Sequence, residues 1–168
     1  MFAKQTLILK KEIPGAGLSW LIKLNRGKGG LEIYRKCGNE KLYGDLTIRK
    51  SYDLAAYAVF EEELFFPCIF GGEATPTPEG LFHVEAKSAE EYVSSYYPNY
   101  SCVKFFGYLV VFEDYFIHSD LYRTDEAAPA EDKAISQNDK STSGCVRISQ
   151  KNLEWLIQNV DIGTLVWL

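Results

Sequence analysis

The sequence predicts a mostly β domain, a sandwich or barrel with a short helix after the early strands and an amphipathic helix near the C-terminus. Apolar runs bounded by Gly, Pro and Asn clusters follow one another at hairpin spacing, the signature of a meander. Aromatic residues make up 14% of the chain, with 11 Tyr and 10 Phe, and these side chains favour half-buried pleated surfaces. A helical period is clear at one place: Leu153, Leu156, Ile157 and Val160 fall at i, i+3, i+4 and i+7. A length of 168 residues with a 46% hydrophobic share suffices for one core.

The elements follow in order. Residues 1–30 are punctuated by Pro14, Gly15, Gly17, Gly27, Gly29 and Gly30, with Trp20 to Leu24 as a strand between turns. Thirty residues rarely make an independent domain, so this segment is expected to be an N-terminal extension packing on the main domain, residues 31–168. Leu31–Lys36 and Leu42–Lys50 flank a turn at Cys37-Gly38-Asn39-Glu40, and Leu54–Glu61 and Leu64–Phe70 flank a short acidic turn. Leu81–Ala86 follows a Pro/Gly turn. Ser88-Ala89-Glu90-Glu91 has the form of a capping box, which predicts a short helix from Ser88 to about Tyr96. Val103–Glu113 and Tyr115–His118 return to strand, the second placing His118 at a strand end, where functional groups are commonly displayed.

The net charge of −5 and pI near 5.1 argue against nucleic-acid binding, which needs a basic face. Lys23, Arg26, Lys28, Arg35 and Lys36 read as a solvated surface. Four cysteines, Cys37, Cys68, Cys102 and Cys145, lack C-x-x-C spacing and are too sparse for a disulfide scaffold, so neither a metal nor another cofactor is expected. Met1 to Glu12 has only Leu7-Ile8-Leu9 as an apolar core, too short for a signal peptide, and no run is long enough for a membrane span.

Chemistry concentrates in Thr142-Ser143-Gly144-Cys145-Val146-Arg147, read with Phe116-Ile117-His118-Ser119. A free thiol titrates near pKa 8.5, so a nucleophilic cysteine needs a neighbour that takes its proton, and His118 is the candidate base. Glycine permits the tight backbone that would aim the Gly144 and Cys145 N–H groups at a developing oxyanion. In an extended segment Arg147 shares a face with Cys145, where its guanidinium would either fix the strand or hold a substrate carboxylate. Without this context, Cys145 would read as a buried spectator, as Cys68 and Cys102 do. His83 alternates with Phe82 and Val84 and is expected to face solvent.

At these residues the chain resembles the L,D-transpeptidase catalytic domain of YkuD type, whose signature is a histidine followed downstream by Ser/Thr-x-Gly-Cys-x-Arg/Asn. The turn Thr75-Pro76-Thr77-Pro78-Glu79-Gly80-Leu81-Phe82 and the ending from Trp155 to Val166 are similar to the family's corresponding parts, so the likeness spans roughly residues 46 to 168. It implies a cysteine acyl-transferase in which Cys145 attacks, His118 is the base, Ser119 orients the imidazole through its hydroxyl, and Gly144 helps form the oxyanion site. Thr142, Ser143 and Arg147 would contact the substrate. That substrate would be a peptidoglycan stem tetrapeptide cleaved before its terminal D-alanine, and the acyl group would pass to an amine or to water. Carbapenem-type β-lactams would acylate Cys145. The cell envelope is the location the resemblance implies, against the missing signal peptide.

Two departures stand out. Ser143 occupies a place where the family most often has histidine, and the interval from His118 to Cys145 is longer than usual. Its polar middle, Thr124 to Ser143 with Ile135 as its one large apolar residue, reads either as a lid or specificity loop or as a solvated excursion with no role. The competing functional reading is a catalytically inactive wall-binding or interaction module on the same fold.

Overall fold

The computed structural model describes residues 4–38, 54–95 and 97–168. Two sheets and one α-helix form the described architecture. A six-stranded sheet runs in the order β1-β4-β3-β2-β10-β5, built from β1 (Thr6–Lys10), β2 (Trp20–Asn25), β3 (Gly30–Cys37), β4 (Tyr57–Pro67), β5 (Leu81–His83) and β10 (Leu165–Trp167). A four-stranded sheet runs β6-β7-β8-β9, built from β6 (Ala86–Ser94), β7 (Val103–Phe112), β8 (Tyr115–His118) and β9 (Val146–Arg147). The mostly β expectation holds. The β1 and β2 segments hydrogen-bond inside the first sheet, where β2 pairs antiparallel with β3 and parallel with β10.

Alternation along the strands sends Ile22, Leu24, Leu31 and Ile33 from one sheet, and Leu109, Val111, Ile117 and Val146 from the other, into a shared core. The helix α1 (Gln150–Asn159) closes this core with Leu153 and Leu156, both fully buried, matching the period read from the sequence. Its N-cap Ser149 accepts from the Asn152 N–H, and the Lys87 ammonium donates to the Ile157 and Val160 carbonyls at the other end, satisfying acceptors the helix leaves open. Ala16, Leu21, Tyr34, Ala58, Phe60 and Leu165 form a second cluster. A third, Val103, Phe105 and Leu121, receives Tyr97, Tyr108, Phe116 and Ile135. Gly107, at φ +87°, lets Phe105 and Tyr108 both join that third cluster despite their opposite parity within β7.

Three expectations need correction or lie elsewhere. The segment from Ser88 is not a helix: Ala86–Ser94 is strand β6, paired with β7. The Ser88 hydroxyl accepts from the Glu90 N–H within a register shift between Ser88 and Glu91, and Tyr92 stacks on Phe105 at 5.1 Å. Pairing and aromatic contact with an apolar strand outweigh a local capping signal. Nor do Leu54–Glu61 and Leu64–Phe70 form a hairpin. Residues 57–67 are one strand with an irregularity opposite Ile33/Tyr34, because the acidic run contains no Gly, Pro or Asn to turn it, and Glu61 and Glu63 instead pair with Lys4 and Arg35. The expected strand Leu42–Lys50 lies outside the described residues.

Candidate active site

Strands β8 and β9 build the site. They pair in parallel with Ile117 beside Val146 and His118 beside Arg147, and the Ile148 N–H donates to the His118 carbonyl at 2.9 Å. Ile117 and Val146 face the core. Alternation therefore turns Phe116 and His118 of one strand, and Arg147 of the other, to the opposite face, and Cys145 directly precedes β9 with its sulfur against the Phe116 backbone.

His118 is 4% exposed and stacks on Phe105, with ring centroids 4.1 Å apart. Its Nδ1 lies 2.6 Å from the Ser119 carbonyl oxygen, which can only accept. Nδ1 must carry the proton, leaving the Nε2 lone pair free, the tautomer a base requires. Burial, followed by the nearby Arg147 charge, pushes the His118 pKa from 6.5 down to about 3. Ser119 thus meets the ring through its carbonyl and not through its hydroxyl, which donates to the Gln150 side-chain oxygen. Gln150 in turn donates to the Phe106 carbonyl at 2.9 Å, tying the start of α1 to β7 beneath the imidazole.

The Cys145 sulfur accepts from the Phe116 N–H at 3.4 Å and donates to the Asp114 carbonyl at 3.6 Å. Among the described residues it forms no hydrogen bond to the imidazole. Burial pushes the thiol pKa up, opposed by the Phe116 N–H and by Arg147. At neutral pH both partners are uncharged.

The turn carrying Cys145 is clamped from a distance. Thr77, 2% exposed, donates its hydroxyl to the Gly144 carbonyl at 2.7 Å and accepts from the Gly71 N–H at 2.8 Å. Thr75 donates to the Thr142 carbonyl at 3.1 Å, and Arg26 of the β2–β3 turn donates to the Thr77 and Pro78 carbonyls. Gly144 adopts φ +127°, and a Cβ there would stand 2.6 Å from Tyr115 Cε1. These contacts bear on two sequence-based assignments, Gly144 and Thr142. The Gly144 N–H donates to the Thr142 hydroxyl at 3.1 Å, so of the two expected oxyanion donors the Cys145 N–H is the one left. The Thr142 hydroxyl is turned into the loop, where it donates to the Cys145 carbonyl, and Ser143 is exposed on the turn. Thr75 and Thr77 carried no role in the sequence reading. Their Thr-Pro-Thr-Pro setting was the signal available for them.

Arg147 is 8% exposed and pairs through Nη1 with Asp139 at 2.9 Å, while its buried Nε has no partner among the described residues. Asp139 belongs to the polar 124–143 stretch, which is pinned over this face. The Ile135 N–H donates to the Leu121 carbonyl, the Tyr97 hydroxyl donates to the Ile135 carbonyl and to Asp139, and the buried Ser136 hydroxyl joins Asp120 to the Leu121 N–H. His83 lies apart, its ring bonded to the Pro14 carbonyl. Among the described residues no group of His, Cys, Asp or Glu is arranged to hold a metal, and no helix is long and apolar enough to cross a membrane.

Paired strands carrying an imidazole and a guanidinium, with a cysteine just before the second strand on a threonine-clamped turn, define the class of β domain. The L,D-transpeptidase catalytic domain model, YkuD, matches residues 46–168, and the chain belongs to that family. Similar solved structures include an L,D-transpeptidase in complex with imipenem, at 18% identity and TM-score 0.58 over 89% of this chain and 58% of that one. L,D-transpeptidase 3 from Mycobacterium tuberculosis, carrying a faropenem-derived adduct, aligns at 16% identity and TM-score 0.56 over 89% and 59%. A fused zinc-dependent amidase/peptidase/peptidoglycan-binding protein from Clostridium acetobutylicum aligns at 17% identity and TM-score 0.53, with 89% and 51% covered. The chain thus spans between half and three fifths of these structures' length. No curated protein matches in sequence.

Proposed function

We propose that this chain is a cysteine acyl-transferase acting on the stem tetrapeptide of peptidoglycan. The observation that supports the reading is the His118 ring, whose Nδ1–H is held by the Ser119 carbonyl so that the Nε2 lone pair is available, on the strand that pairs with the one Cys145 precedes. In this reading Cys145 attacks the carbonyl of the third stem residue as His118 Nε2 takes the thiol proton. A C–S bond forms, and the carbonyl oxygen gains negative charge that the Cys145 N–H receives. Collapse breaks the C–N bond, and His118 returns the proton to the departing D-alanine amine. An amine of a second stem, or water, then takes the acyl group from sulfur and regenerates the thiol. Arg147 binds a substrate carboxylate, and Ser143 borders the entrance.

Mass spectrometry of the protein incubated with imipenem, or with a stem tetrapeptide, tests this. An adduct that Cys145→Ser abolishes is expected, and absence of any adduct on the wild-type protein would overturn the reading. One observation favours the rival, an inactive module that retains the fold: the sulfur is hydrogen-bonded to the Asp114 carbonyl and not to the imidazole. Such a module would bind wall fragments and give no adduct.

A further inference from the structure

The contact between Arg147 and the 124–143 loop has an unusual composition. A buried arginine normally spends its donors on a carboxylate with two parallel bonds. Here Asp139 engages Nη1 at 2.9 Å, and the buried Nε is left without a partner among the described residues. Asp139 is itself partly solvated, its side chain 29% exposed, and it is held on its other oxygen by the Tyr97 hydroxyl at 3.2 Å. An arginine with one edge unfilled, facing a monodentate carboxylate on a largely exposed loop, is a carboxylate site with a replaceable occupant.

We propose that Asp139 is the resident, displaceable occupant of a carboxylate-recognition point at Arg147, standing where a carboxylate of the donor peptide binds during turnover. The inference rests on the acyl-transfer reading above and adds a specificity element to it. A donor carboxylate that bonds both Nε and an Nη nitrogen satisfies the orphaned donor and outcompetes Asp139. Displacement frees the loop at a contact beside the imidazole, since Arg147 and His118 are adjacent across β8 and β9. Loop opening and substrate recognition are then one event, and a peptide without that carboxylate leaves the loop closed. The carboxylate is either the terminal one of the donor or the one on its diamino-acid side chain, and amidated peptides separate the two.

Binding is measured by calorimetry in a Cys145→Ser background, so that no turnover occurs, using the free-acid tetrapeptide and two analogues amidated at one carboxylate each. Asp139→Asn is nearly isosteric and removes the competing charge. If Asp139 holds Arg147 in about nine of ten molecules, its removal tightens free-acid binding roughly tenfold. The analogue lacking the recognised carboxylate is expected to bind weakly, with no gain from Asp139→Asn. Tyr97→Phe, which removes only the hydroxyl that steadies Asp139, is expected to shift free-acid binding the same way by a smaller factor. Arg147→Gln is expected to erase the acid–amide difference. Equal gains for acid and both amides, weaker acid binding in Asp139→Asn, or no binding of any peptide would overturn the proposal. Imipenem adduct formation by Asp139→Asn with Cys145 intact reports on the thiol chemistry separately, so a failed carboxylate site and a failed acyl-transferase give different results.

Discussion

Burial holds the His118 imidazole neutral far into the acid range, and this has a measurable thermodynamic cost. The folded protein keeps the ring at a pKa of about 3 against 6.5 for the free side chain. In the unfolded chain the ring takes up a proton as pH falls through 6.5, while the folded ring does not. Stability from this residue is therefore present above pH 6.5 and lost as pH falls toward 3. At 1.36 kcal/mol per pKa unit the full window is worth on the order of 5 kcal/mol, of which about 2 kcal/mol falls between pH 8 and pH 5. The assay is urea unfolding of wild type and His118→Gln at pH 8, 6.5 and 5. Every other ionisable group is common to the two proteins and cancels in the difference. Wild type is expected to lose about 2 kcal/mol relative to the variant between pH 8 and pH 5. A difference that stays constant across those pH values would mean a solvated imidazole, and the account of a buried, neutral base would fail.

Two further outcomes concern the turn that carries the thiol. Thr77→Val removes the hydroxyl shared by Gly71 and Gly144 and strands the buried Gly144 carbonyl and the half-buried Gly71 N–H, at a cost of about 1–3 kcal/mol, with slower imipenem acylation of Cys145. Thr77→Ser keeps both bonds and is expected to restore the acylation rate, which a purely volumetric role for the side chain would not require. Gly144→Ala forces a Cβ to 2.6 Å from the Tyr115 ring at a φ of +127°, a backbone cost of about 1–3 kcal/mol before the clash is relieved. Denaturant unfolding and the acylation rate are both expected to fall; an unchanged rate would show that the turn geometry does not set the position of the sulfur.

What was legible in the sequence was local or carried by a dense motif. The helix at Gln150–Asn159 followed from the spacing of four apolar residues, and the sequence likeness to the L,D-transpeptidase catalytic domain from a dense run of motif residues that the family model also matches. Contacts between distant residues were not legible. Nothing in Trp20–Asn25 reveals that it will lie parallel to Leu165–Trp167, because a parallel partner is chosen by burial and not by a turn. The Thr75 and Thr77 hydroxyls act on carbonyls 67 positions away, and a hydroxyl in a Pro-rich turn reads locally as turn chemistry. Ser88-Ala89-Glu90-Glu91 misled for the complementary reason: its capping signal was real, yet the strand beside it offered more burial than a short helix could. Asp139 was hidden by a polar stretch whose composition says only that it is solvated.

The two shifted groups also constrain when the proton can move. Burial raises the thiol and lowers the imidazole, so a thiolate–imidazolium pair is disfavoured in the closed state from both sides. Arg147 does not repair this, since its charge favours the thiolate while opposing the imidazolium. In the proposed acyl transfer, proton transfer would then coincide with attack, when charge leaves sulfur for the carbonyl oxygen, or would follow a change that lets water reach the ring. The structure offers one route to such a change. Asp139 and Tyr97 close the loop over the face bearing His118, and Arg147, which holds Asp139, is its neighbour across the strand pair. Under the displacement proposed above, a ligand that takes Arg147 from Asp139 would loosen this contact beside the imidazole, and water reaching the ring would raise its basicity. In the proposed mechanism the base would thereby be strengthened only when substrate is in place, with the thiol kept protonated until then.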